Sequence, residues 1–241
     1  MASTCVIFFF VALALFVLTL PFDRNGRLLH QFSCFWAALY IHVNPLWQYR
    51  YEELPGLPRR GPYVIVSNHQ SLADILVLFR TYLPYKWVSK SSVFKVPFLG
   101  WNMFLNRYVG LVRGDKKSIG RMVDACRAWL DRGVSVLIFP EGTRSPDGNL
   151  LPFKVGAFRI AREAGVKVLP MVLDGTAGTL PKHGLVLNSV SRMHLKMLPP
   201  MEVSSYESDE AAAAAVREVM ARELSRMRDP ASKTEAVALP G

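Results

Sequence analysis

Acidic residues, cysteines and the common nucleotide motifs are all scarce or missing in this chain. Three cysteines, Cys5, Cys34 and Cys126, occur in 241 residues, with neither metal-ligand nor redox spacing. That excludes a disulfide framework, suits a reducing cytoplasmic setting, and leaves no metal site to expect. Nineteen Asp and Glu stand against 29 Lys and Arg, a net charge of +10. The surplus points to an anionic partner: nucleic acid, a phosphate-bearing substrate or an anionic membrane surface. There is no G-x-x-x-x-G-K-[ST] and no G-x-G-x-x-G, which disfavours nucleoside triphosphate and dinucleotide chemistry; no cofactor is expected. There is also no G-x-S-x-G elbow, so a serine hydrolase would lack its nucleophile.

The first 22 residues, "MASTCVIFFFVALALFVLTLPF", lack any charged side chain. As a helix they would measure about 33 Å, close to the ~30 Å hydrocarbon core of a bilayer. No Lys or Arg precedes the run and "LTLPFD" is a poor cleavage site, which favours a retained anchor over a cleaved signal peptide. Five polar residues, "DRNGR", lead to a second stretch over 28–49 without Asp, Glu, Lys or Arg but with the Trp and Tyr of a membrane interface. The two predict a helical hairpin that dips into one leaflet or crosses it. The alternative is that the second stretch packs on the globular body. Basic residues gather after it (Arg50, Arg59, Arg60, Lys86, Lys90, Lys95), so the body is expected on the cytoplasmic face. Aromatic residues cluster in this region and do not interleave with the basic ones, so no nucleic-acid partner is expected. The expected division is a hairpin over 1–48, a body over 49–228 and a loose tail over 229–241.

In the body, short apolar runs alternate with helical patterns. Strands are predicted at 63–68, 85–89, 107–113, 134–139, 166–173 and 192–198. Ile119, Met122, Val123, Cys126, Trp129 and Leu130 recur at helical spacing before Gly133, and a further helix over 156–164 ends at Gly165. Residues 207–228 read as a helix with acid at its start and arginine toward its end. The pattern predicts an α/β fold with a largely parallel or mixed central sheet flanked by helices.

Ligands of such sheets bind beyond the carboxyl ends of the strands, where two polar clusters fall. In "SNHQSLADI" (67–75), His69 is a residue type that can accept a proton near neutral pH, and Asp74 could orient its ring. Ser71 and Asp74 also have the S-x-x-D spacing of a helix capping box, and Ser71 is read as the cap. Of five histidines only His69 has this arrangement: His30 and His42 lie in the apolar stretch, His194 in a strand and His183 in a loop. With no protein nucleophile in sight, a His–Asp pair most naturally deprotonates a substrate hydroxyl. The second cluster, "FPEGTRSPDG" (139–148), offers Arg144 as a bidentate phosphate donor beside Gly142 and Thr143. The plain alternative is a surface turn in which Glu141 pairs with Arg144. Lys90, Arg113 and Lys154 each lie beside a predicted strand or turn end and add weight to a phosphate site.

"NHQSLAD" resembles the H-x-x-x-x-D motif of the glycerolipid acyltransferases, and "FPEGTRS" resembles their second signature. With "GLVRGD" and "PFKVGAF" in order between and after them, the chain is similar over about residues 45–200 to the 1-acylglycerol-3-phosphate acyltransferases. "VLPMVLDGT" resembles the family's last block, although Asp174 stands where a proline is common, which puts the shape of the distal pocket in question. The resemblance implies that His69 takes the proton from the free hydroxyl of a lysophospholipid while Asp74 orients it. The alkoxide would attack the thioester of acyl-CoA or acyl carrier protein with no acyl-enzyme. It further implies that Arg144, in a loop shaped by Glu141, Gly142 and Thr143, holds the glycerol phosphate, with Lys90 and Arg113 nearby. A membrane-embedded N-terminal pair of helices belongs to the bacterial members. The rivals are an acyltransferase for another lysolipid acceptor and a non-catalytic membrane lipid-phosphate binder.

Overall fold

The computed structural model describes residues 2–59, 61–177, 179 and 190–229. His183 and the tail beyond residue 229 lie outside these.

One seven-stranded sheet runs in the order β1 (Trp47–Glu52), β7 (Ser191–Met197), β6 (Val168–Asp174), β2 (Val64–Ser67), β5 (Ser135–Ile138), β3 (Tyr85–Lys90) and β4 (Val109–Leu111). Every neighbouring pair is parallel except β6–β7, so the sheet is mixed and largely parallel, as the apolar runs predict. The central strands are fully buried, which is why β2 reads as an unbroken "VIVS" and not as an alternating pattern. The six predicted strands are all present, most with shorter bounds.

Helices cover both faces. On one side α5 (Lys116–Asp131), α6 (Gly156–Glu163) and α7 (Asp209–Arg228) enclose a core that includes Val64, Val136, Trp129, Phe158 and Met220. On the other, α2 (Arg27–His42) and α3 (Ala73–Phe79) enclose Ile65, Leu137, Leu169, Tyr85 and Trp87. A short helix α4 (Leu99–Leu105), which sequence periodicity does not reveal, follows a 3-10 turn over Ser91–Lys95.

The N-terminal stretches form a helical pair, α1 (Ala2–Thr19) and α2, joined through Gly26 in the left-handed region. The second helix packs on the body, as the alternative reading had it. Its His30 is buried between the Tyr108 hydroxyl and the Leu83 carbonyl, 2.8 Å from each. The Ser33 hydroxyl accepts from the amides of Asn102 and Asn106, both at 3.1 Å. Residues 47–49, read as the end of that apolar stretch, instead begin β1, so a boundary at residue 48 cuts a strand. Trp47 is apolar because it is core: it is buried beside β7. α1 turns a broad apolar face outward, with Ile7, Phe10, Val17 and Leu18 each about 60% exposed or more. Among the described residues, no helix is long and apolar enough to cross a membrane.

Candidate active site

The chain leaves β2 toward α3 on one face of the sheet, and leaves the adjacent β5 toward α6 on the other. Where neighbouring strands part to opposite faces, a crevice opens at their carboxyl ends. His69 follows β2 and Glu141 follows β5, so the two polar clusters meet in that crevice.

His69 is held from four directions. Its Nδ1 lies 2.7 Å from Asp74 Oδ2, and its ring stacks on Phe139, centroids 4.0 Å apart and planes within 12°. Its backbone N–H donates to Glu141 Oε1 at 2.9 Å, and its carbonyl accepts the Ser145 N–H at 2.8 Å. Asp74 is fully buried, and Oδ2 also accepts the backbone N–H groups of Gln70 (2.6 Å) and Ser71 (2.9 Å). Its Oδ1 accepts the Thr176 hydroxyl. With both oxygens engaged as acceptors, the His69 proton belongs on Nδ1, and Nε2 keeps its lone pair. Among the described residues, no side chain bonds Nε2, and the ring is still 13% exposed. A hydroxyl group entering the crevice therefore meets a base whose tautomer and plane are already set.

The cap and the pair share atoms. Asp74 reaches back to the Ser71 N–H, which is half of a capping box, while Ser71 Oγ accepts from Ala73 N at 3.3 Å. The helix begins one residue later than that spacing predicts: Leu72 is the N-cap and makes no side-chain cap bond, so Ser71 stands just before the cap.

Glu141 does not form the surface pair with Arg144. Its two oxygens accept from His69 N (2.9 Å) and Leu151 N (3.1 Å), tying the loop after β5 to the turn after β2. Burial pushes its carboxyl up to about 7, opposed by those two backbone hydrogen bonds and reinforced by the nearby Asp74 charge. Gly142 has φ +69, and a side chain there would bring its Cβ 2.8 Å from Lys154 Nζ, so the bare backbone makes room for the lysine. Thr143 is exposed, and Arg144 is half-buried with no carboxylate within ion-pair distance among the described residues. Lys90 and Arg113 are exposed at the carboxyl ends of β3 and β4, two and three strands from β2. At about 4.8 Å per strand they stand roughly 10 and 14 Å along the sheet edge. They stand on the same sheet edge as His69.

Several site residues escape sequence reading. Asn68 pins the turn by donating to Leu173 O (2.7 Å) and accepting from Leu173 N (2.8 Å). Gln70 reaches Leu173 O and Gly148 O at 3.1 and 3.2 Å. Thr176 can reach Asp74 because Gly175 turns the chain at φ +81, where a Cβ would stand 1.9 Å from Arg192 O. Phe139, the last residue of an apolar run, carries no signal that it stacks on a histidine.

Fold and site together define an α/β protein that presents an oriented imidazole beside cationic side chains at a sheet switch point. The chain belongs to the acyltransferase family: residues 48–174 match the model of the family described as Acyltransferase. It is 38% identical over 221 residues to a 1-acyl-sn-glycerol-3-phosphate acyltransferase of Chlamydomonas reinhardtii, covering 86% of this chain and 65% of that protein. To a chloroplastic 1-acyl-sn-glycerol-3-phosphate acyltransferase of Brassica napus it is 42% identical over 164 residues, 67% of this chain and 47% of the relative. The chain thus spans between about half and two thirds of these algal and plant relatives. The Escherichia coli K12 1-acyl-sn-glycerol-3-phosphate acyltransferase is 30% identical over 185 residues, 73% of this chain and 72% of that one. The crystal structure of the 1-acyl-sn-glycerophosphate acyltransferase PlsC from Thermotoga maritima superposes with a TM-score of 0.70 at 24% identity, covering 94% and 95% of the two chains. That likeness shows the fold.

Proposed function

We propose that the protein moves a fatty acyl group from acyl-CoA or acyl carrier protein to the sn-2 hydroxyl of 1-acylglycerol-3-phosphate, giving phosphatidic acid. The observation that carries the proposal is the His69–Asp74 pair with Nε2 unbonded, set at the switch point beside Arg144. Nε2 takes the hydroxyl proton as the alkoxide oxygen bonds to the thioester carbonyl carbon. Collapse of the tetrahedral adduct breaks the carbon–sulfur bond, and the imidazolium returns its proton to the departing thiolate. Asp74 stabilises the imidazolium between the two transfers. On this reading the transfer is direct, without an acyl-enzyme, supported by His69 Nδ1 bonding Asp74 while no serine or cysteine of the described residues is hydrogen-bonded to the imidazole. Arg144 binds the acceptor phosphate bidentately, with Lys90, Arg113 and Lys154 lending positive potential and Glu141, Gly142 and Thr143 shaping the loop.

The acceptor is an amphiphile, and an apolar face stands ready to meet it. Phe9 of α1 packs edge-on against Phe98 and Trp101, joining α1 to α4. Leu99, Trp101 and Phe104 of α4 are exposed beside the outward side chains of α1. An 18-residue α1 is about 27 Å long, short of a full crossing, which favours a hairpin seated in one leaflet. The net charge of +10 then holds the body against the anionic cytoplasmic face. Purified protein assayed against panels of lysolipid acceptors and acyl donors, with His69→Ala in parallel, tests the reading. Phosphatidic acid should form from lysophosphatidic acid, and His69→Ala should lower kcat at least about 10²-fold with the fold intact. No product from lysophosphatidic acid rejects the acceptor assignment, and an unaffected variant rejects the base.

A further inference from the structure

Asp174 closes β6 with a carboxylate, and its partner comes from far along the chain. Arg228, the last residue of α7, brings Nε and Nη2 to Asp174 Oδ1, both at 2.9 Å. Nη2 also donates to the Gly148 carbonyl at 2.8 Å, and Nη1 to Asn149 Oδ1 at 3.1 Å. The same Gly148 carbonyl accepts from Gln70 Nε2 at 3.2 Å. One guanidinium therefore joins the end of β6 to the far end of the loop that begins at Glu141. The near end of that loop is fastened to His69 through Glu141 and Ser145. Arg144 stands between Glu141 and Ser145, four residues before the Gly148 carbonyl that Arg228 holds. A second α7 arginine, Arg217, holds the chain just beyond, donating to Leu150 O (2.8 Å) and Leu151 O (3.0 Å).

Such a fastening is needed for a physical reason. The segment 142–149 contains no helix or strand, and its tip residues Thr143, Pro146, Asp147 and Asn149 are exposed. A loop of this kind keeps a charged side chain in one place only if its backbone is held at both ends. A planar guanidinium with several donors can grip a carboxylate, a carbonyl and an amide oxygen together, which a lysine cannot do.

We infer that Arg228, through Asp174 and Gly148, is a positioning residue that fixes the 142–149 loop and thereby sets how well Arg144 binds the acceptor's phosphate. The inference rests on the proposed phosphate role of Arg144. Arg228 itself touches neither His69 nor Asp74, and its link to Asp74 runs only through Gln70, which shares the Gly148 carbonyl, so its effect falls on acceptor binding more than on proton transfer.

The test is steady-state kinetics of the full chain in mixed micelles, with acceptor and donor varied separately, on Arg228→Ala, Arg228→Lys, Arg144→Ala and the Arg144→Ala/Arg228→Ala double variant. Arg228→Ala should raise the acceptor KM about tenfold, with kcat and donor KM changed less than about twofold and the thermal midpoint nearly kept. Arg228→Lys, which retains charge and one or two of the contacts, should recover part of the loss. If Arg228 works through Arg144, the double variant should be no worse than Arg144→Ala alone, a non-additivity that merely structural damage does not produce. Additive losses, an unchanged acceptor KM in Arg228→Ala, or a parallel fall in kcat, both KM values and thermal midpoint would each overturn the inference. If Arg144→Ala raises the acceptor KM while Arg228→Ala does not, the positioning role fails and the phosphate role stands. If Arg144→Ala itself leaves the acceptor KM unchanged, the phosphate role fails and takes this inference with it.

Discussion

Glu141 Oε1 accepts the backbone N–H of His69 at 2.9 Å, so the loop after β5 and the turn after β2 are one mechanical unit. Because the carboxyl is pushed up to about 7, its proton matters in the working range of pH. A raised value in the folded protein means that folding is favoured by protonation. The contribution is complete below the ordinary carboxyl range near 4.5 and is lost as pH rises through about 7. The two backbone N–H bonds oppose this shift but do not cancel the effect of burial. Thermal midpoints of wild type and Glu141→Gln, measured from about pH 5 to 8, should therefore diverge, wild type losing stability relative to the variant as pH rises. Parallel curves would sink this assignment.

Asp74→Asn separates the helix start from the chemistry. The three donors on Oδ2 oblige the amide to place its oxygen there and its NH2 toward Thr176, whose hydroxyl can turn to accept. Stability should change by only about 1 kcal/mol, because the hydrogen bonds can be remade. Turnover should fall at least about 10²-fold, because a neutral amide cannot stabilise the imidazolium. A stable variant with undiminished kcat would leave Asp74 with the capping role alone.

Gly175→Ala should be among the costliest small changes in the molecule. The residue has φ +81, and an added Cβ would stand 1.9 Å from the Arg192 carbonyl. A left-handed alanine alone costs of order 1–3 kcal/mol, before the collision with β7 is relieved. Denaturant titration should show a lower midpoint, and a midpoint like that of wild type would mean that the turn has another way to close.

Membrane attachment is best tested without deleting the hairpin. Removing residues 1–45 takes away α2, whose Leu29, His30, Cys34 and Ile41 are buried against the body, and uncovers core. Phe10→Glu with Leu18→Glu avoids this, since the two side chains are 59% and 69% exposed. A charge placed in hydrocarbon costs about 2.5–3.5 kcal/mol, so the double variant should shift from the membrane pellet to the supernatant while keeping its thermal midpoint. Retention in the pellet would put the attachment elsewhere on the basic surface.

Local chemistry was legible where neighbours in sequence are also neighbours in space. His69 and Asp74 lie five residues apart across a helix start, so spacing alone brings their side chains together, although the N-cap falls on Leu72 and not on Ser71. The buried central strands showed themselves as apolar runs, because a strand covered on both faces has no polar side to alternate with. β1 was hidden for the same reason in reverse: Trp47 and Tyr49 look like interface residues until β7, more than a hundred positions later, supplies the partner strand. Spacing leaves a Glu141–Arg144 surface pair open as an alternative, but the fold gives Glu141 two backbone N–H groups that no local pattern encodes. Phe139, Thr176 and Arg228 reach the site only through sheet order and the return of α7 across β6. The chain by itself determined the chemistry available: one well-placed histidine, its carboxylate and a surplus of cations. Only the tertiary structure decided which of them work together, because contacts between strands and loops far apart in sequence depend on packing, not on spacing.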